Sequence, residues 1–201
     1  MKKTRLEAFS DGVIAIIITI MVLELVVPHE DTFAALSKLW PVFLSYFISF
    51  IYVGIYWGNH HHLLYIVHHV NSKIIWANMA FLFCLSLIPF TTGWMGENHF
   101  STIPMIVYSM NLSLCALVYY VLQQVIMKHY THDTKLIIAI KKQSNKGWIS
   151  LLIYILAGVV ACFSPWVSLI LVFIPAVLWI VPDKNIEAAV NSMADENTDE
   201  D

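Results

Sequence analysis

From Gly147 to Pro182 the chain runs for 36 residues without a charged side chain. As one helix this stretch would be about 54 Å long at 1.5 Å per residue, well beyond a bilayer core of about 30 Å. It has to fold back, and Ser164-Pro165 near its midpoint supplies the break, because proline lacks an amide donor and disfavours helix in the residue before it. That predicts two short spans, a fifth and a sixth. Earlier apolar runs predict four more: a first span over 5–27 closed by Pro28, a second from Lys38 to Tyr65, a third from Ile74 to Gly93 and a fourth from Thr102 to Met127. With 59% hydrophobic and 12% charged residues, such a chain cannot hide its apolar surface in a water-soluble core. The fold class is an all-α integral membrane protein of six transmembrane helices, surrounded by membrane lipid.

Six spans place both termini on one side. Of the eleven basic residues, ten (Lys2, Lys3, Arg5, Lys73, Lys128, Lys135, Lys141, Lys142, Lys146 and Lys184) fall on that side and only Lys38 on the other. The bias predicts cytoplasmic termini in a multi-pass protein of the cell's inner (plasma) membrane. Trp40, Trp94, Trp148 and Trp166 sit near span ends, as interfacial belts require. Residues 1–185 read as one transmembrane domain, and 186–201 as an acidic, disordered cytoplasmic tail: Asp195, Glu196, Asp199, Glu200 and Asp201 all lie in its last seven positions. The net charge of −3, concentrated in this way, gives no basis for nucleic-acid binding. Cys84, Cys115 and Cys162 lie in apolar runs without CxxC spacing and read as buried thiols.

The first span carries the most information. Thr4 and Glu7 have the spacing of a capping box at its start. Asp11 then lies two turns inside, where an ionisable group is costly and marks a site facing protein or water. Gly12, Ile16, Thr19, Leu23 and Val27 share one face at about 100° per residue, and Asp11 points about 140° from Ile16. Taken alone, such a stripe is most often a helix-packing face, and periodicity by itself does not make it a pore. Arg5 and Asp11 are about 240° apart around the helix, so their partners are expected on other helices or subunits. On the second span Trp57 and His61 share a face. Glu24 at the far end reads either as a cation-concentrating mouth residue or as an interfacial carboxylate. His60, His61, His62, His68 and His69 crowd one stretch, read here as a cytoplasmic loop. They lack the i, i+4 pairing with a carboxylate that a zinc site favours, so no metal site and no cofactor are expected.

Arg5, Phe9, Ser10 and Asp11, followed by Ser49-Phe50, by Tyr56, Trp57, His60 and His61, and by Asn78 with Leu87-Ile88-Pro89-Phe90 and Thr92, resemble the successive motifs of the transmembrane protein 175 family of lysosomal and bacterial potassium channels. Six spans resemble one repeat of that family, the prokaryotic single-repeat form. The resemblance implies a homotetramer in which the first helix of each subunit lines a central pore, and it places the pore constriction on Ile16, Thr19 and Leu23. It also implies a structural polar network of Arg5, Phe9, Ser10, Asp11, Trp57 and His61. The function implied is a potassium-selective, leak-type cation channel, not an enzyme, passing monovalent cations, with a potassium ion able to sit near Thr19. The Thr-Val-Gly-Tyr-Gly carbonyl filter is absent, so selectivity would arise from side-chain rings that dewet the neck. A secondary transporter and a histidine-dependent membrane metalloprotein are the alternatives.

Overall fold

The computed structural model describes residues 2–67, 69–128 and 134–180. The acidic tail, Pro182, Lys184 and His68 lie outside the described residues. The chain is all-helical: α1 (Lys3–Met21) with a 3₁₀ turn (Val22–Glu24), α2 (Phe33–Ser37), α3 (Trp40–Tyr65), α4 (Ser72–Ser86), α5 (Ile88–Glu97), α6 (Thr102–Met127), α7 (Thr134–Ala161) and α8 (Pro165–Ile180). Five stretches are long and apolar enough to cross a membrane, namely Lys3–Glu24, Trp40–Tyr65, Ser72–Glu97, Thr102–Met127 and Gln143–Ala161; Pro165–Ile180 is a shorter apolar helix. Helix is the form that satisfies every backbone amide within its own segment, which hydrocarbon demands.

Local sequence sets most boundaries. Asn71 accepts from the Ile74 amide (3.0 Å) and starts α4, Thr32 accepts from Ala35 and starts α2, and Pro41 sits in the first turn of α3. Ser164-Pro165 divides α7 from α8 as expected, with Ser164 O accepting the Ser168 amide. Between α5 and α6 the chain closes with paired bonds, Phe100 N to Met95 O (3.0 Å) and His99 N to Gly96 O (3.1 Å). This closure puts His99 (φ 52°) and Phe100 (φ 56°) in the left-handed region, at a cost of about 1–3 kcal/mol each for non-glycine residues. Burial of the Phe100 ring against Trp40 and Trp166, with centroids 6.0 and 5.4 Å away, offsets it.

Several expectations are corrected. The first helix ends at Met21 and tightens to a 3₁₀ turn, so Leu23 lies beyond the α-helix and Val27 in irregular chain. Its start carries no capping box: Lys2 is the N-cap without a side-chain bond, and Glu7 pairs with Lys3 at 3.7 Å. The third span is two helices, because Pro89 has no N–H to give Leu85 O and the chain turns at Leu87. Finally, α7 spans 28 residues and is not short: its lysine-rich first half is helical too. Cys84 and Cys115 are buried thiols, whereas Cys162 is exposed in the α7–α8 turn.

The helices pack closely where glycine allows. A Cβ on Gly96 would meet the Val42 Cα at 2.8 Å and the Pro41 carbonyl at 3.3 Å, besides the Ser45 hydroxyl, whereas Gly54 has nothing within 4 Å. Gly96→Ala should therefore push α5 off α3 and destabilise by about 1–3 kcal/mol. Gly54→Ala should be neutral or stabilising by up to about 1 kcal/mol. Thermal unfolding of the two variants in detergent checks the contrast, and equal melting temperatures would refute it.

Candidate functional site

Helix α1 has two unlike sides. Leu6, Ser10, Ile14, Ile17 and Met21 are buried against α3, α4 and α5. Gly12, Ile16 (57% exposed), Thr19, Ile20 and Leu23 (74% exposed) are uncovered in the single chain. Thr19 Oγ1 donates to its own helix, 2.9 Å from Ile16 O and 3.1 Å from Ala15 O. Its single proton is thus committed, and the oxygen lone pairs remain available on the open side.

The buried side carries a chain of hydrogen bonds through three spans. Ser10 Oγ donates to Leu6 O (2.8 Å) and accepts from Asn78 Nδ2 (2.9 Å). The Asn78 amide then turns its oxygen to His60 Nε2, 2.6 Å away. Because that oxygen accepts, His60 carries its proton on Nε2, which leaves Nδ1 buried and without a partner among the described residues. Phe81 stacks on the imidazole at 5.4 Å and 18°. Ser10, Asn78 and His60 are all within 1% of full burial.

One residue further round, a second chain is more open. Trp57 Nε1 donates to Asp11 Oδ1 at 3.0 Å, and the His61 ring lies 6.2 Å from that of Trp57. Asp11 finds its partner on another helix, and Trp57 and His61 do share a face. Phe9 is 49% exposed, Arg5 is exposed, and its guanidinium has no ion pair or hydrogen bond among the described residues. The structure thus joins Asp11 to Trp57 with His61 beside it, places Ser10 instead in the separate buried chain with Asn78 and His60, and leaves Arg5 and Phe9 at the surface of the single chain. His60, His61 and His62 belong to α3 rather than to a loop, and His60 faces the interior. No three His, Cys, Asp or Glu side chains come together to hold a metal among the described residues.

The expected polar network takes His61 and not His60 or Asn78, although both stand among the residues that carry the family resemblance, and it omits Lys3. Lys3 Nζ donates to the last carbonyl of α3, Tyr65 O, at 2.6 Å and sits 4.7 Å above the Tyr65 ring. A cation at a helix C-terminus satisfies an orphan carbonyl and complements the helix dipole. Asn78 was detectable as an uncharged polar residue well inside a span, where such groups tie helices together. Two further polar clusters rivet the bundle: Thr92 Oγ1 donates to Ser49 Oγ (2.7 Å), which is 2.9 Å from Tyr108 Oη, and Gln123, Gln143 and Asn59 link α6, α7 and α3 in bonds of 2.8–2.9 Å.

Asn78→Ala strands the His60 Nε2–H in a dry interior, at about 1–3 kcal/mol for an orphaned group, and takes from Ser10 its donor while leaving its own bond to Leu6 O. Trp57→Phe removes one half-exposed bond worth about 1 kcal/mol. Asn78→Ala should therefore lower the melting temperature in detergent several-fold more than Trp57→Phe; the reverse order would show that the buried chain is not what fixes α1.

Comparison with known proteins bears on this arrangement. The family model described as endosomal/lysosomal potassium channel TMEM175 matches residues 5–89, which hold both polar chains. A potassium channel of Chryseobacterium sp. (strain P1-3) is 46% identical over 190 residues, covering 94% of this chain and 98% of that one. The human endosomal/lysosomal proton channel TMEM175 is 44% identical over 75 residues, which are 31% of this chain and 15% of that one. The crystal structure of a lysosomal potassium-selective channel TMEM175 homolog from Chamaesiphon minutus superposes with a TM-score of 0.76 at 25% identity, over 89% of this chain and 96% of that one.

Proposed function

This chain belongs to the endosomal/lysosomal potassium channel TMEM175 family, whose members are channels and not enzymes, and on that premise we propose that it is a potassium-selective, leak-type cation channel with a side-chain constriction on α1. The observation that carries the reading is the division of α1. One face is packed against α3, α4 and α5 and hydrogen-bonded to α3 and α4, while Gly12, Ile16, Thr19 and Leu23 remain exposed in the single chain. One helix cannot enclose an ion path, and closed rotational symmetry turns its open face into rings. In a homotetramer Ile16 and Thr19 stack about 4.5 Å apart along the helix axis. Leu23 sits on the 3₁₀ turn, where the rise is about 2 Å per residue, so its ring lies somewhat further out than an α-helix would place it.

The chemistry suits a weakly hydrated cation. Ile16 and Leu23 make the neck apolar, so an ion passes only by shedding much of its water, which potassium does more readily than sodium. Thr19 offers acceptor lone pairs between the two apolar rings, a place for a partly dehydrated potassium ion. Asp11 and Trp57 belong to the frame that holds α1. With both termini cytoplasmic in the inner membrane, the basic residues of the N-terminal side meet the anionic leaflet.

Purified protein in liposomes should pass potassium down its gradient, and cross-linking should stop at four copies. Ile16→Ala or Leu23→Ala should widen the neck and reduce potassium preference over sodium by several-fold or more. Cysteines at 16, 19 or 23 should be blocked by charged thiol reagents, and those at buried positions 14 and 17 spared. Equal block at all five, or a cross-linking limit of two, would move the pore off α1.

A further inference from the structure

Beyond the polar frame and the open stripe, α1 borders one more feature. Val13, Ile16, Ile17 and Ile20, with Ser86, Pro89 and Phe90 from the broken third span, line an open groove of about 480 Å³ with Glu24 at its end. That volume lies within the range of small-molecule sites, which are mostly apolar with a few fixed polar groups. The break at Leu87 makes the groove, because it turns Pro89 and the 64%-exposed Phe90 toward α1.

Glu24 is the only acidic residue on this wall, and no ion pair or hydrogen bond of its carboxylate occurs among the described residues. It is also seated. A Cβ on Gly93 would lie 2.6 Å from Glu24 Oε2 and 2.9 Å from Cδ, so the carboxylate occupies the slot that a bare glycine leaves in α5. One turn away Phe90 stacks with Trp94, with centroids at 6.0 Å and 24° between planes. An unpaired anion fixed near an exposed aromatic face, at the mouth of an apolar groove inside a membrane span, is complementary to an ammonium head carrying an alkyl tail.

We propose that this groove binds amphiphilic amines, with the ammonium at Glu24 and Phe90 and the tail along Val13, Ile17, Ile20 and Pro89. The claim concerns binding and does not need the conduction reading. Gly93 is the positioning residue, since it lets the carboxylate lie where the head group arrives.

Calorimetric titration of the whole protein in maltoside micelles with octyltrimethylammonium tests it, with protein-free micelles as blank and octyl sulfate as a probe of the same tail and opposite charge. Saturable binding of the cation, at least tenfold weaker for Glu24→Gln and several-fold weaker for Gly93→Ala, with octyl sulfate not binding, is the expected result. Circular dichroism and melting temperature report whether each variant stays folded, and Ser86→Phe, which fills the groove and leaves Glu24 in place, should abolish binding independently. Equal affinity of wild type and Glu24→Gln would overturn the assignment. So would binding of octyl sulfate, which would mean an apolar groove alone, and so would no binding at all, which would mean the groove is covered by a neighbouring copy.

Discussion

Everything in this bundle depends on how polar groups are satisfied where no water reaches them. Asn78 shows the constraint most clearly: its amide nitrogen donates to Ser10 on α1 and its oxygen accepts from His60 on α3, so one side chain of α4 ties three spans together. In lipid the alternative to such a bond is an orphaned donor or acceptor, although measured gains per bond stay near 1 kcal/mol because loose helices also find partners. The value of the tie is therefore geometric. Apolar packing alone would let α1 slide or rotate among similar arrangements, and a directional bond of 2.6–2.9 Å at each end of one amide does not.

Much of this could be read in advance, because the bilayer imposes a length on every apolar run. The spans and the reversal at Ser164-Pro165 follow from that length and from proline chemistry, and the family follows from Arg5, Phe9, Ser10 and Asp11 with the later motifs. What escaped has physical causes. Pro28 is the helix stop that proline chemistry predicts, yet α1 ends at Met21, since a chain leaving the bundle needs only one unwound turn and nothing in Val22-Leu23-Glu24 announces it. The charge-free run from Gly147 marks only the apolar part of α7, and a helix that continues past that run into water keeps its hydrogen bonds whatever its side chains.

The histidines fail more instructively. Trp57 and His61 share a face, as the spacing of four requires, and so do Tyr56 and His60, one step or about 100° further round. Periodicity groups residues into faces but does not say which face is inside, and on a span that is apolar throughout the usual polar-against-apolar contrast is absent. Here Tyr56 and His60 turn inward, against Phe81, and Trp57 and His61 turn out. The same ambiguity applies to the stripe of Ile16, Thr19 and Leu23, which periodicity leaves open between packing face and pore; in the single chain it is the opposite side of α1 that is full.

A helix covered on one side only has to be positioned from that side, and α1 is held at three heights. At its start Lys3 reaches the terminal carbonyl of α3; in its first half Ser10 meets Asn78; at its far end Glu24 lies in the slot at Gly93. Two hydrogen-bonded attachments and one steric seat along about 30 Å of helix, at 1.5 Å per residue, fix its height, rotation and tilt. That matters more for a side-chain constriction than for a filter built of backbone carbonyls. A ring of isoleucines has no internal bonds to set its width, so in the proposed tetramer the radius is inherited from where each α1 stands against its own bundle. The neck can then be no stiffer than these three ties and the Ile14, Ile17 and Met21 packing between them, which puts control of a pore on one face of the helix in residues on the other.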